Sequence, residues 1–162
     1  MKEADRDQAG AAKSAPGLLP LPDRGRIDPA MPHPLVDRLH LAPHPEGGWF
    51  RETMRQPDPA GGRDLATAIL FLLDAGERSH WHRVDAAELW IWNGGGELAI
   101  LIHDDGETVE HRLGPGSPQV LVPANAWQAA APRDGWVLVS CVVTPGFDFA
   151  GFELASPGWR PA

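Results

Sequence analysis

Apolar residues in this chain come in short runs separated by turn-forming residues, a pattern typical of β-strands rather than helices. Between Pro59 and Pro115 no proline interrupts the chain, so central strands of a sheet are possible there. Strands are predicted over residues 65–74, 79–84, 88–93, 97–103, 108–113, 119–123 and 135–143. Between two of them, Asp104-Asp105-Gly106 predicts a hairpin loop with Gly106 at positive φ. Short strands at this regular spacing favour an all-β sandwich or barrel.

The chain ahead of these strands has a different character. Residues 1 to about 33 hold five prolines, many charges and no aromatic residue, so they are expected to form a disordered tail. The segment His33 to Leu41 places apolar residues at helical spacing and predicts a short N-terminal helix of about two turns. The predicted organisation is therefore one domain over residues 34–156, with tails at residues 1–33 and 157–162.

Composition narrows the classes of function. The 18 glycines and 17 prolines indicate many turns and disfavour a helical bundle. The net charge of −8 argues against nucleic acid as a partner, and the chain shows neither a secretory signal nor an apolar run long enough to span a membrane. The single cysteine, Cys141, cannot form an internal disulfide, which suits a reducing compartment. A small-molecule ligand and a cytoplasmic location are expected.

The stretch from Gly76 to Gly95 carries the candidate chemistry. Residues two apart in a strand share a face, so His80 and His82 are expected to point the same way. A turn at residues 85–87 would bring Glu88 back to them. Two histidines and one carboxylate form a ligand set for a divalent metal with open positions. In the alternative interpretation, His82 and Glu88 form a hydrogen-bonded pair and His80 faces solvent.

Four segments of the sequence resemble a known family. They are PHPEGGWFRET (residues 43–53), SHWHRVDAAELW (79–90), VPANAWQAA (122–130) and TPGFDFAGFELA (144–155). In this order they resemble the signature blocks of the cupin superfamily and, more closely, of its cupin_5 family, also called DUF985. The resemblance implies a double-stranded β-helix, the cupin jelly roll, and a homodimer.

The same resemblance suggests where a metal would bind. The general cupin ligand set falls on His80, His82, Glu88 and Gln128, and the metal would be Fe, Mn, Zn or Ni. Two departures bear on this expectation. Five residues separate His82 from Glu88, one more than usual, and Gln128 stands where most cupins have histidine. An amide oxygen is a weaker ligand for a transition metal than imidazole.

A metal-free chemistry is also implied, because cupin-fold sugar epimerases of the RmlC type use a pocket histidine as general base. His82, oriented by Glu88, suits that role. Arg51 and Arg83 are candidates to bind an anionic group of the substrate, and Glu52 is a candidate pocket carboxylate.

The remaining expectations concern the pocket itself. It is expected inside the barrel, lined by His80, His82, Glu88, Trp90 and Gln128, with Trp90 and Gln128 as ligand-binding residues. His44 and Glu46 are interpreted mainly as parts of a tight turn at Gly47-Gly48. The leading hypothesis is an enzyme, and the alternative is a protein that binds a small molecule without converting it.

Overall fold

Two antiparallel sheets face each other in the computed structural model, which describes residues 32–162. The predicted disordered tail lies outside the described residues except for its last two positions. The elements are α1 (Leu35–Arg38), β1 (Ala42–Pro43), β2 (Trp49–Gln56), β3 (Ala66–Leu73), β4 (Ser79–Val84), β5 (Ala87–Gly95), β6 (Leu98–Asp104), β7 (Glu107–Leu113), β8 (Gln119–Val122), β9 (Trp127–Pro132), β10 (Val137–Thr144), a 3₁₀ turn (Phe149–Gly151) and β11 (Phe152–Leu154).

The strand order is β1-β2-β3-β10-β5-β8 in one sheet and β11-β4-β9-β6-β7 in the other. Because strands distant in sequence are neighbours in each sheet, the chain crosses repeatedly between the sheets, as a jelly roll requires. The all-β prediction is confirmed. Within residues 32–162, no helix has the length and apolar character needed to cross a membrane.

The core lies between the sheets. Alternate residues of β10 are buried, beginning with Val137 and Val139, and they face Leu98 and Ile100 of β6 within one apolar cluster. This alternation follows from the two-residue period of a strand. The hairpin between β6 and β7 has Asp105 at φ 49° and Gly106 at φ 80°, which confirms the predicted positive φ of the glycine.

The N-terminal helix is shorter than expected. One turn forms, Leu35–Arg38, and His40 at φ 53° ends it before a second turn can follow. Leu35 and Val36 pack with Leu72 in a separate apolar cluster on the outside of the sheet. The turn therefore covers one sheet face and lies away from the core.

A tight turn before β2 is closed by one backbone hydrogen bond and linked to β4 by another. The amide of His44 donates to the carbonyl of Gly48 at 2.9 Å, and the amide of His80 donates to the carbonyl of Glu46 at 2.8 Å. Gly47 has φ 109°, and a Cβ at this position would lie 2.2 Å from the carbonyl oxygen of Arg78. No other residue type fits here without moving one of the two segments.

Replacing Gly47 by alanine is therefore expected to lower the free energy of unfolding by at least about 1 kcal/mol, since both the dihedral angle and the contact are unfavourable. Chemical denaturation measures the loss. Gly61→Ala is the matched control, because Gly61 also has positive φ, 81°, but has no atom within 4 Å of an added Cβ. An equal loss in both variants would show that the dihedral angle alone is responsible.

Candidate functional site

A cavity of about 360 Å³ opens into the space between the sheets. Its deep part holds His44, Glu46, His82 and Glu88. Aromatic and aliphatic side chains form most of its wall, among them Phe50, Ile69, Phe71, Val84, Val143 and Phe152. A concave, largely apolar site with a few converging polar groups is the usual form of a small-molecule site.

β4 places the side chain of His82 in this cavity and that of His80 outside it. The pairing of β4 with β9 is irregular between Ser79 and His82, so the strict alternation of side chains is broken there. Ser79 and His82 are both buried, whereas His80 is exposed and absent from the cavity lining. The expectation that His80 and His82 share a face was wrong, because it assumed a regular strand.

The backbone fixes the protonation pattern of the His82 ring. Its Nδ1 lies 2.7 Å from the carbonyl oxygen of His80, so Nδ1 carries a proton and donates a hydrogen bond to that carbonyl. The neutral ring then has an unprotonated Nε2, which lies 3.3 Å from Oε2 of Glu46. Burial lowers the pKa of His82, although the charge of Glu88 opposes this effect. His82 thus presents a neutral, basic Nε2 to the cavity.

Glu46 is the carboxyl partner of His82. Its other oxygen, Oε1, accepts a hydrogen bond of 2.9 Å from the hydroxyl of Ser79. Burial raises the pKa of Glu46 to about 8, since the carboxylate loses its hydration there. At neutral pH this carboxyl therefore holds a proton. Nε2 of His82 is placed to accept a hydrogen bond from it.

His44 lies on the other side of the same carboxyl. Its Nδ1 is 3.5 Å from Oε2 of Glu46 and 3.3 Å from the Glu46 amide, which donates to it. Burial lowers the pKa of His44 to about 4. Two neutral imidazoles thus flank one protonated carboxyl. The interpretation of His44 and Glu46 as mainly turn residues missed this arrangement.

Glu88 is held by a chain of buried hydrogen bonds. The indole N–H of Trp90 donates to Oε1 of Gln128 at 2.9 Å, and Nε2 of Gln128 donates to Oε2 of Glu88 at 2.6 Å. Burial raises the pKa of Glu88. Trp90 and Gln128 are almost completely buried and do not line the cavity, so they support Glu88 instead of contacting a ligand.

These donors do not fit the expected metal set. An indole can only donate, so it commits the amide oxygen of Gln128 and turns the amide nitrogen, which cannot bind a metal, toward Glu88. The side chain of His80 is exposed and does not line the cavity. Among residues 32–162, no group of three or more histidine, cysteine, aspartate or glutamate side chains is arranged to hold a metal.

The expected pairing of His82 with Glu88 differs from the structure as well. The His82 ring nitrogens contact the His80 carbonyl and the Glu46 carboxyl, while Glu88 contacts Gln128. Glu88 and His82 both line the cavity, so the long turn between them has not removed Glu88 from the site.

The remaining candidates lie at the rim or outside. Glu52 is at the mouth of the cavity and pairs with Arg55 at 2.7 Å. Arg51 is exposed and does not line the cavity. Arg83 is outside too, where it pairs with Glu153 and lies 4.8 Å from the ring centre of Trp127.

Residues 33–155 match the family described as Cupin superfamily (DUF985). The chain belongs to this family. A relative in Saccharomyces cerevisiae, the uncharacterized protein YML079W, is 27% identical over 157 residues, which is 81% of this chain and 76% of the relative. The family resemblance seen in the four sequence blocks is confirmed.

Solved structures give the same fold. Protein SO0799 from Shewanella oneidensis is 40% identical with a TM-score of 0.70, over 75% of this chain and 82% of that one. A hypothetical protein from Leishmania major is 31% identical with a TM-score of 0.65, over 75% and 85%. Oxalate decarboxylase from Bacillus subtilis is 17% identical with a TM-score of 0.58, over 69% of this chain and 29% of that one, and is similar in fold alone.

Proposed function

We propose that the cavity binds a small organic molecule and catalyses metal-independent proton transfer on it, as an isomerase or epimerase does. The observation that carries this proposal is the contact between Oε2 of Glu46 and Nε2 of His82, 3.3 Å apart inside an apolar cavity. It supplies one protonated acid and one neutral base at the same place. Groups whose environments drive their pKa values apart in this way are typical of acid–base sites.

The two groups would act together on a carbon next to a carbonyl group. Nε2 of His82 takes the proton from that carbon, and the carboxyl of Glu46 gives its proton to the carbonyl oxygen. The substrate becomes an enediol or enol, while His82 becomes an imidazolium beside the Glu46 carboxylate. The imidazolium then gives its proton to the other carbon of the enediol, and the Glu46 carboxylate takes the proton of the other hydroxyl group, which gives the isomerised product and restores both groups.

Two neighbours hold the acid and base in place. The carbonyl of His80 keeps the proton of His82 on Nδ1, so Nε2 stays unprotonated and keeps its lone pair. Ser79 holds Oε1 of Glu46 and leaves Oε2 for the reaction. Glu88, fixed by Gln128, is available to bind a polar group of the substrate.

Solvent-deuterium exchange tests the proposal. Reducing sugars, amino sugars and small hydroxycarbonyl compounds are incubated with protein in D₂O containing a chelator, and deuterium at carbon is measured by NMR. We expect catalysed incorporation that survives the chelator and falls at least about 100-fold in His82→Ala. His80→Ala is the matched control and should retain the rate, since its side chain is exposed.

Three outcomes would contradict the proposal: exchange that needs added metal, equal loss in both histidine variants, or ligands that bind and are recovered without deuterium. The last outcome would favour a non-catalytic binding protein. The homodimer and the cytoplasmic location expected from the sequence are part of the same proposal.

A further inference from the structure

The carboxyl groups of the cavity outnumber its cations. Its described lining includes Glu46, Glu52, Asp64, Glu88 and Asp148. Among these described residues the guanidinium groups are those of Arg55 and Arg63. The two deep carboxyls, Glu46 and Glu88, thus share their surroundings with histidines that burial keeps neutral.

Both guanidinium groups are committed at the mouth. Arg55 pairs with Glu52 at 2.7 Å and with Asp64 at 2.5 Å. Arg63 pairs with Asp85 at 2.7 Å and donates to the carbonyl of Gly146 at 2.7 Å. To use these guanidinium groups, an anionic ligand would have to break their ion pairs, which costs free energy. It would also meet the like charge of Glu88, which costs more.

The walls of the cavity also suit a cation. Five phenylalanine rings line it: Phe50, Phe71, Phe147, Phe149 and Phe152. The face of an aromatic ring carries partial negative charge and attracts ammonium groups, more strongly where water is excluded. Phe147, Phe149 and Phe152 lie within 6.0 Å of one another between ring centres, so they form one continuous aromatic wall near the mouth.

We propose that the ligand of this cavity carries an ammonium group, which binds Glu88 while the apolar part of the ligand packs against the phenylalanine rings. The inference rests on the proposed function and adds the substrate class, an amine-bearing small molecule. A ligand cation supplies the counter-charge that Glu88 lacks among the described residues, where its side-chain partner is the neutral amide of Gln128. A neutral polyol would form hydrogen bonds there without supplying that charge.

Three probes of matched shape test this proposal: benzylammonium, benzyl alcohol and benzoate. Their affinities for the full chain at pH 7 are measured by calorimetry and by ¹⁵N-resolved NMR, where the Trp90 indole N–H reports on the chain leading to Glu88. We expect benzylammonium to bind at least tenfold more tightly than benzyl alcohol, and benzoate to bind least. Absence of benzylammonium binding at millimolar concentration, or equal affinities, would overturn the proposal.

The Glu88→Gln variant then tests whether the Glu88 carboxylate is the group that binds the ammonium ion. This variant keeps the shape of the side chain, so we expect it to lose the tenfold preference for benzylammonium while still binding benzyl alcohol. Glu107→Gln is the matched control, because Glu107 is exposed on β7 and does not line the cavity. A preference that persists in Glu88→Gln would overturn the assignment. If Glu88→Gln does not fold, the ranking of the three probes on the unmodified chain still decides.

The result is separable from the test of catalysis. A preference for benzylammonium without deuterium exchange on any compound would leave this inference standing and remove the proposed proton transfer. Deuterium exchange on neutral sugars, combined with equal affinities for the three probes, would support the proposed proton transfer and remove the inference of an ammonium ligand.

Discussion

Replacing Glu46 by glutamine is expected to lower the rate of deuterium exchange at the substrate carbon by about 10²- to 10⁴-fold, the usual contribution of one acid–base group. The amide has the same shape and can keep the hydrogen bond from Ser79. It has no acidic proton to deliver to the substrate oxygen. Its N–H can face Nε2 of His82, the atom 3.3 Å from the present carboxyl, as the carboxyl O–H does, so the geometry around the base is kept.

The measurement is the rate constant for incorporation of deuterium, together with the affinity of the same compound. We expect the rate to fall while affinity changes little, because the loss concerns the transition state. Glu107→Gln is again the control for removal of a surface carboxyl. An unchanged rate in Glu46→Gln would show that the contact between Glu46 and His82 is structural only.

The second prediction concerns stability against pH. Glu46 has a pKa of about 8 in the folded protein and an ordinary value of 4.5. Between these values the folded state binds more protons than the unfolded state, so the free energy of unfolding falls as pH rises. The two imidazoles act in the opposite sense: His44, for example, titrates near pH 4 when folded and near 6.5 ordinarily. Its contribution to stability therefore increases with pH up to about 6.5.

The opposing effects make the window from pH 6.5 to 8 decisive. Above pH 6.5 the unfolded histidines lose their remaining charge, so the contribution of the carboxyls dominates; the raised pKa of Glu88 acts in the same direction as that of Glu46. We expect the free energy of unfolding to fall by about 1–2 kcal/mol over this window. In Glu46→Gln the fall should be much smaller. Urea denaturation at both pH values measures it, and identical slopes in the two proteins would contradict the assignment.

Much of the fold followed from the local pattern of residues. The predicted strand over residues 79–84 has the bounds of β4, and the glycine-containing hairpin formed as expected. β9, Trp127–Pro132, was not among the strands predicted from the apolar pattern. Its alanines have little strand preference, and it is a strand because β4 and β6 pair with it on both sides.

The site was less predictable, because spacing identifies a strand but does not locate a bulge in it. The irregular pairing of β4 with β9 between Ser79 and His82 leaves the side chain of His80 exposed to solvent. Glu46 lies in a turn, so no periodicity pointed to its orientation. Its role depends on contacts with Ser79 and His82, which lie 33 and 36 positions further along the chain. The signal available in the sequence was the family block that contains it.

The Trp90–Gln128–Glu88 chain limits how a protein of this kind could change its chemistry during evolution. A neutral histidine at position 128 would have one unprotonated ring nitrogen, so binding a metal through it would leave the buried indole of Trp90 without an acceptor until position 90 also changed. The outward-facing His80 would in addition require a regular β4. Conversion between this site and a metal-binding one therefore needs several interdependent substitutions, at positions 90 and 128 and in the pairing of β4.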